Sequence, residues 1–319
     1  MAKVAYRVRN WKDYNKSLRQ RGSLTFWFSQ DVLNNWTGKE TSDCHGNQKY
    51  SDAVILCGLT LRQLFRLPLR ATEGMMASLI ELTKLPVIAP DYSTLSRRGK
   101  TLKINLKVKK TSHARHVLVD STGIQIIGEG QWKTLRHGKS RYQVWRKLHI
   151  AMDADNQTIL AASMTESERH DGNYLSGLIS EIEGEIDQIT ADGAYDKKAC
   201  YRAAHARKAK AVFPPQHDAI IQRNKIKKDP ALLQRDETIA FIKNGEDVEE
   251  RRKLWKRKNN YHRRSLVETM MGRMKSLFGD QMRSRTFENQ RADLLIRCYA
   301  MNKITALGLP RSVAIGLII

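Results

Sequence analysis

The chain is 319 residues long and 41% hydrophobic, enough for one large domain or two around a substantial core, which excludes a wholly disordered chain. Lys and Arg number 56 against 33 Asp and Glu, a formal net charge of +23 whose field attracts polyanions, nucleic acid first among them. No apolar run approaches about 18 residues and no basic amphipathic stretch has a wholly apolar opposite face, so no membrane partner is expected; the apolar SVAIGLII is too short to span.

The opening segment, MAKVAYRVRNWKDYN, is basic without the apolar heart of a signal peptide, and a cytoplasmic, nucleoid-associated protein is expected. Cys44, Cys57, Cys200 and Cys298 are scattered with no CxxC pair, which sets out neither a disulfide framework nor a zinc knuckle; Cys44, His45 and Cys57 lack a fourth ligand at zinc spacing.

Residues 1–95 read as helices and loops. SDAVILCGLTLRQLF repeats apolar residues at helical spacing, and Met76, Leu79 and Ile80 in GMMASLIELTKL make an i, i+3, i+4 stripe, so two helices should pack together. The prolines of LPVIAP enforce a turn, and Asp91 is placed to N-cap a third helix, DYSTLSRRG. Two packed helices, a turn and a short third helix carrying Tyr92, Thr94, Arg97 and Arg98 is the order of a helix-turn-helix DNA reader, and equally of plain structural packing. RRGKTLKINLKVKK follows with seven basic residues in positions 97–110; residues 96–112 read as a basic linker along a phosphate backbone, or as a solvated edge strand.

From His113 the texture changes to strands. HVLVDSTGIQIIG, YQVWRKLHIAMDADNQ and TILAASMTES are β-branched runs, with ADNQ as a hairpin turn. NYLSGLISEIEGEI carries the helical stripe Leu175, Leu178, Ile179, Ile182; then come the strand DQITADGAYD, the helix KKACYRAAHARKA and the strand KAVFPP. The order β-β-β-α-β-α-β predicts an α/β, RNase H-like domain with a mixed sheet flanked by helices, over residues 113–305, preceded by a mainly helical DNA-binding region. Residues 216–260 read as a basic helical insertion or connector and 306–319 as a C-terminal tail; in the insertion, KLWKRKNNYHRR is suited to phosphate contact.

Asp120 closes the buried-looking strand LVDSTG, and Asp192 repeats the situation in ITADGAYD, where Gly193 would let backbone or ligand approach closely. Two carboxylates brought to one spot repel unless a cation lies between them, and oxygen-only ligands select Mg²⁺ or Mn²⁺. In YHRRSLVETMMGRMKSLFG, Val267, Met270, Met271, Met274 and Phe278 make one apolar helix face. Tyr261, Arg264, Glu268 and Lys275 share a neighbouring face, either as a solvated i, i+4 ion pair or as a third metal-binding carboxylate flanked by phosphate-holding groups.

Those four residues spell Y-x2-R-x3-E-x6-K, which resembles the signature of the DDE transposases of bacterial insertion sequences, and LVDSTG and ITADGAYD look like the blocks that carry the other two catalytic aspartates. The texture from VDSTGIQ through MNKITALGLP resembles the insertion sequence five family, over about residues 50–310; ADGAYD varies from many relatives without losing a ligand. The resemblance implies an enzyme that binds the terminal inverted repeats of its own element, cleaves the DNA ends and joins the 3′-hydroxyls to target DNA. By that resemblance Asp120, Asp192 and Glu268 would hold two Mg²⁺ or Mn²⁺ ions. Tyr261, Arg264 and Lys275, with His262 and Arg263 beside them, would contact DNA, and Trp132 would stack on a flipped base or else serve as a core residue. Double-stranded DNA, as repeat ends and as target, is the implied partner, with a homodimer or larger synaptic complex.

Glu166, Glu168, His170 and Asp171 read as acids and a histidine preceding a helix, Asp153 and Asp155 as hairpin-turn residues, and His149 as a satisfied strand histidine. No P-loop or dinucleotide fingerprint appears, so ATP is not expected. A transposase-derived regulator that only binds DNA, and an RNase H-like nuclease that never joins it, stay open beside transposition.

Overall fold

The computed structural model describes residues 3–37, 49–106, 108–127, 144–222, 229–245 and 247–318, so Cys44, His45 and Trp132 lie outside the described residues. The chain forms two compact units, Met1–Asn105 with Ile296–Ile319, and Leu106–Leu295.

The first unit opens with β1 (Lys3–Val8), followed by α1 (Trp11–Arg21), α2 (Leu24–Trp27), α3 (Gln30–Asn34), α4 (Asp52–Leu64), α5 (Leu69–Thr83) and α6 (Tyr92–Thr101). Helices α4, α5 and α6 pack on one another in all three pairings and bury Val54, Ile55, Leu61, Met76, Ile80 and Leu95. Gly58 makes the approach possible: a Cβ there would sit 2.6 Å from the Met76 sulfur and 3.2 Å from Leu95. Asp91 caps α6 as expected, its Oδ1 accepting the N–H of Ser93 and of Thr94 at 2.9 Å. The helix runs on to Thr101 and so takes in the first basic residues of RRGKTLKINLKVKK.

The second unit is built on one sheet. Its elements are β2 (Arg115–Ile126), β3 (Val144–Asp153), β4 (Ile159–Glu166), α7 (Leu175–Ser180), β5 (Ile186–Thr190), α8 (Lys198–Ala206) and β6 (Lys210–Val212). Then come α9 (Leu233–Lys243), α10 (Val248–Lys258), α11 (Ser265–Phe278) and β7 (Gln281–Met282). The strand order is β4-β3-β2-β5-β6, with β7 also on β2. The β2–β3 and β3–β4 pairs are antiparallel, whereas β2–β5, β5–β6 and β2–β7 are parallel. An antiparallel meander continued by parallel strands, with helices in the crossovers, is the mixed α/β, RNase H-like arrangement.

One face of the sheet packs Val117, Val119, Leu160 and Ile189 against the Leu175, Leu178, Ile179 and Ile182 stripe and against Cys200, Tyr201 and Ala204 of α8. The hairpin at ADNQ forms on the Asp153 carboxylate, whose Oδ1 accepts the N–H of Asp155 at 2.8 Å, while Gln157 takes a left-handed φ of 55°. Asp153 is itself buried against Arg115 at 2.7 Å, so it belongs to the hairpin and its ion pair. In the insertion, Trp255 of α10 is buried with Val212 and Ile242, and Tyr261 packs against that small core. The division of the chain falls within α12 (Phe287–Leu307), after which SVAIGLII supplies β8 (Ser312–Ile318), paired antiparallel with β1.

Candidate active site

The site is set by the middle of the sheet. Along β2 the period of two gives Val117 and Val119 to the α7–α8 face and turns Leu118 and Asp120 to the other, where α11 packs on β2. The parallel register ends with Leu118 paired to Thr190, each two residues before one of the aspartates, Asp120 and Asp192. Asp192 caps a 3₁₀ turn, Gly193–Tyr195, its Oδ1 accepting the Ala194 N–H at 2.9 Å. A Cβ on Gly193 would lie 3.4 Å from the Pro214 carbonyl, bordering ordinary contact, so space alone does not require glycine there. The close approach is made instead by the Gly193 carbonyl, which accepts the Gln216 side-chain amide.

Glu268 rides on α11, which buries Val267, Met270, Met271, Met274 and Phe278, the face read from the sequence. Tyr261 and Arg264 do not continue that α-helix toward its start. They lie in a 3₁₀ turn, Tyr261–Arg264, where three residues per turn eclipse positions i and i+3 and bring the Arg264 guanidinium 5.8 Å from the Tyr261 ring centre. Arg264 is the hub: Nη1 donates to Asp120 Oδ2 at 2.9 Å and Nη2 donates to Glu268 Oε1. The Asp120 carboxyl is pushed up to about 6, first by burial; the Ser121 N–H and Arg264 oppose the rise, and the charges of Asp192 and Glu268 add to it. Asp192 and Glu268, the other two acids named from the sequence, therefore each lie within electrostatic reach of Asp120.

A fourth acid, which sequence reading assigned only to a helix start, is held by the residue that follows Asp120. Asp171 Oδ2 accepts the Ser121 hydroxyl at 2.9 Å and Oδ1 accepts Lys147 Nζ at 2.9 Å. These partners stand 50 and 24 residues away in the chain, and no spacing motif announces them. His149 is buried, stacked on Tyr174 at 5.1 Å, with Nε2 2.9 Å from the Thr165 hydroxyl.

The basic set divides by what each residue already holds. Lys275 has no side-chain ion pair or hydrogen bond among the described residues, and His262 is exposed. Arg263 donates to Asp155 Oδ1 at 2.6 Å and is thereby tied to the hairpin. Tyr261 packs 6.3 Å from Trp255, with Lys256 Nζ 5.5 Å over its ring. In the first unit, Tyr92 and Arg97 are exposed, Arg70 lying 4.6 Å over the Tyr92 ring. The Thr94 hydroxyl donates to Asp91 Oδ2 at 2.7 Å, and Arg98 donates to the Tyr50 carbonyl at 2.9 Å and pairs with Asp52.

Residues 111–303 match a protein-family model described as Transposase DDE domain, and residues 19–129 match a second model of the same description. The chain belongs to the DDE transposase family. Among solved structures, it is similar at 10% identity and a TM-score of 0.41 to a chain of the "Cryo-EM structure of piggyBac transposase synaptic complex with hairpin DNA", covering 96% of this chain and 77% of that one.

DDE transposases generally use divalent metal ions, and the donor set here fits one in kind. Asp120, Asp192 and Glu268 offer oxygen only, and the charges of Asp192 and Glu268 add to the rise that burial gives the Asp120 carboxyl. Among the described residues no three His, Cys, Asp or Glu side chains converge closely enough to hold an ion together. Arg264 stands between Asp120 and Glu268 and supplies the positive charge there. No helix among the described residues is long and apolar enough to cross a membrane.

Proposed function

We propose that this DDE transposase binds the terminal inverted repeats of its own insertion sequence, cleaves the DNA ends and joins the 3′-hydroxyls to target DNA, with Asp120, Asp192 and Glu268 as the metal-binding catalytic acids. The observation that carries the proposal is that Arg264 bonds both Asp120 and Glu268 while the Asp192 charge acts on the Asp120 carboxyl, the three acids coming from a central strand, the segment after the adjoining strand and a helix. Two divalent ions, Mg²⁺ or Mn²⁺, would activate the attacking oxygen and stabilise the leaving one when bound.

What the chain's own groups do follows from their charge and exposure. Lys275, unengaged on the catalytic helix, and Arg264, two residues from the exposed His262, are the cations suited to a phosphate beside the acids. The Tyr261 ring, wedged on Trp255, fixes the turn from which Arg264 extends. In the first unit, Tyr92 and Arg97 on α6 are available for a groove, whereas Thr94 and Arg98 act from within, through the Asp91 cap and the Asp52 pair. The proposal takes residues 1–95 as the DNA-binding region, 96–112 as a basic linker and 113–305 as the catalytic domain, and includes a homodimer or larger synaptic complex in the cytoplasm.

The test is a cleavage and strand-transfer assay on labelled DNA carrying the gene's own flanks, in Mg²⁺ or Mn²⁺, with Asp192→Asn as control. Joining by the parent, abolished in the variant while DNA binding persists, is the expected result. Binding without cleavage in either protein would indicate a regulator, and cleavage without joining a nuclease.

A further inference from the structure

Tyr195 presents an unexplained donor. Its side chain is 1% exposed, within the cluster that holds Val119, Ala191 and Phe213, and its ring lies 6.4 Å from that of Phe213. A phenylalanine would serve that packing equally. Yet its hydroxyl is buried with no hydrogen-bond partner among the described residues, a state that native interiors seldom tolerate without a use. The residue ends the very turn that Asp192 caps, and the 3₁₀ turn Asp171–Asn173 packs against it. Burial first, then the charges of Asp171, Asp120 and Asp192, push its ionisation up, so it stays a protonated donor within electrostatic reach of those acids.

The acids around it are committed unevenly. Asp171 spends one oxygen on Ser121 and the other on Lys147, and Asp120 spends its two on the Ser121 N–H and Arg264. On Asp192, Oδ1 takes the Ala194 N–H, and Oδ2 has no hydrogen-bond partner among the described residues.

We propose that Tyr195 is a positioning residue of the carboxylate site: its buried hydroxyl donates to the Asp120–Asp192 pair when a divalent ion draws those side chains together, and fixes which of their oxygens remain for the ion. In the metal-free protein the donor goes unused and weakens the fold. This inference rests on the metal-binding reading of Asp120, Asp192 and Glu268.

The test compares the full chain with Tyr195→Phe, which removes the hydroxyl and keeps the ring. Thermal melting in chelator and Mn²⁺ titration of the metal-free protein, by calorimetry or by the Mn²⁺ electron-spin signal, are the two readouts. The variant is expected to melt at the parent's temperature or about 2 to 4 °C higher. It should nevertheless bind Mn²⁺ about tenfold more weakly, which is about 1.4 kcal/mol. A hydroxyl with a merely structural role would lower the melting temperature and leave Mn²⁺ affinity within about twofold, and that result overturns the proposal. Asp192→Asn separates the two ideas. If the parent binds Mn²⁺, Asp192→Asn loses it and Tyr195→Phe matches the parent, only the Tyr195 proposal falls. If the parent binds no Mn²⁺, both readings fall together.

Discussion

Asp196 offers a sharp test of how the Asp192 turn is held. Its side chain is fully buried and meets Arg235 of α9 in a two-pronged pair, Nε to Oδ1 at 2.7 Å and Nη2 to Oδ2 at 3.0 Å. The Gln216 N–H also donates to Oδ2 at 3.0 Å, and the Gln216 side chain reaches the Gly193 carbonyl, so one knot joins the insertion to the turn that carries Asp192. Asp196→Ala leaves three donors facing no acceptor. Breaking a buried pair by removing one partner costs about 3 to 5 kcal/mol, and two lost charge-assisted bonds at about 1.5 to 3 kcal/mol each agree with that range. Arg235 retains 15% side-chain exposure and keeps its bond to the Ile220 carbonyl at 3.0 Å, which favours the lower end, about 3 to 4 kcal/mol. For a unit the size of Leu106–Leu295, about 2 to 4 °C per kcal/mol converts this to a fall of about 6 to 16 °C in melting temperature, read by circular dichroism. Replacing both partners, Asp196→Leu with Arg235→Met, should recover most of the loss, since the apolar pair leaves no stranded charge. An Asp196→Ala protein melting within about 2 °C of the parent would refute the reasoning.

Arg264→Ala removes the counter-charge between Asp120 and Glu268, so it should bind Mn²⁺ severalfold more tightly in the absence of DNA, by calorimetric titration, while strand transfer drops by at least about tenfold. His116 lies 2.9 Å from the Thr190 hydroxyl and 3.4 Å from Arg263, and burial, followed by the Arg263 charge, lowers it to about 4 against the raising effect of Asp155, Asp187 and Asp153. A histidine lowered in the folded state binds fewer protons there than when unfolded, so its contribution is present above about pH 6.5 and lost as pH falls toward 4, on the order of 1 to 2 kcal/mol once solvent screening of the half-exposed ring is allowed for. Melting curves of His116→Asn across that window should lose this component, whereas the opposite contribution from the raised Asp120 carboxyl is common to both proteins. Lys275→Ala should weaken DNA binding across all sequences and reduce the slope of log affinity against log salt by about 1, measured by fluorescence anisotropy; an unchanged slope would remove Lys275 from the phosphate-contacting set.

Much of the second unit was legible because periodicity is local. Runs of β-branched residues and the stripe Leu175, Leu178, Ile179, Ile182 marked β-β-β-α-β-α-β, and all four stripe residues are buried. The methionine-rich face of α11 and the Asp91 cap were readable for the same reason, since each depends on neighbours within about one turn of helix. The order of strands was another matter. Nothing in LVDSTG or ITADGAYD states that β5 lies beside β2 on the edge opposite β3, yet that adjacency puts the segment carrying Asp192 next to the strand carrying Asp120.

Residue type, spacing and net charge by themselves determined the two aspartate blocks, the Tyr-Arg-Glu-Lys series and a surface suited to a polyanion. Tertiary structure alone decided which charges are spent internally: Arg263 on Asp155, Arg98 on Asp52, Arg264 on Asp120 and Glu268, and Asp171 on Ser121 and Lys147. It also decided that SVAIGLII, read as a tail, is a strand paired with the start of the chain. The reason is physical. A helical stripe or a cap is satisfied within one turn of its own sequence, whereas an ion pair or a strand partner depends on which distant surfaces the folded chain brings within a few ångströms.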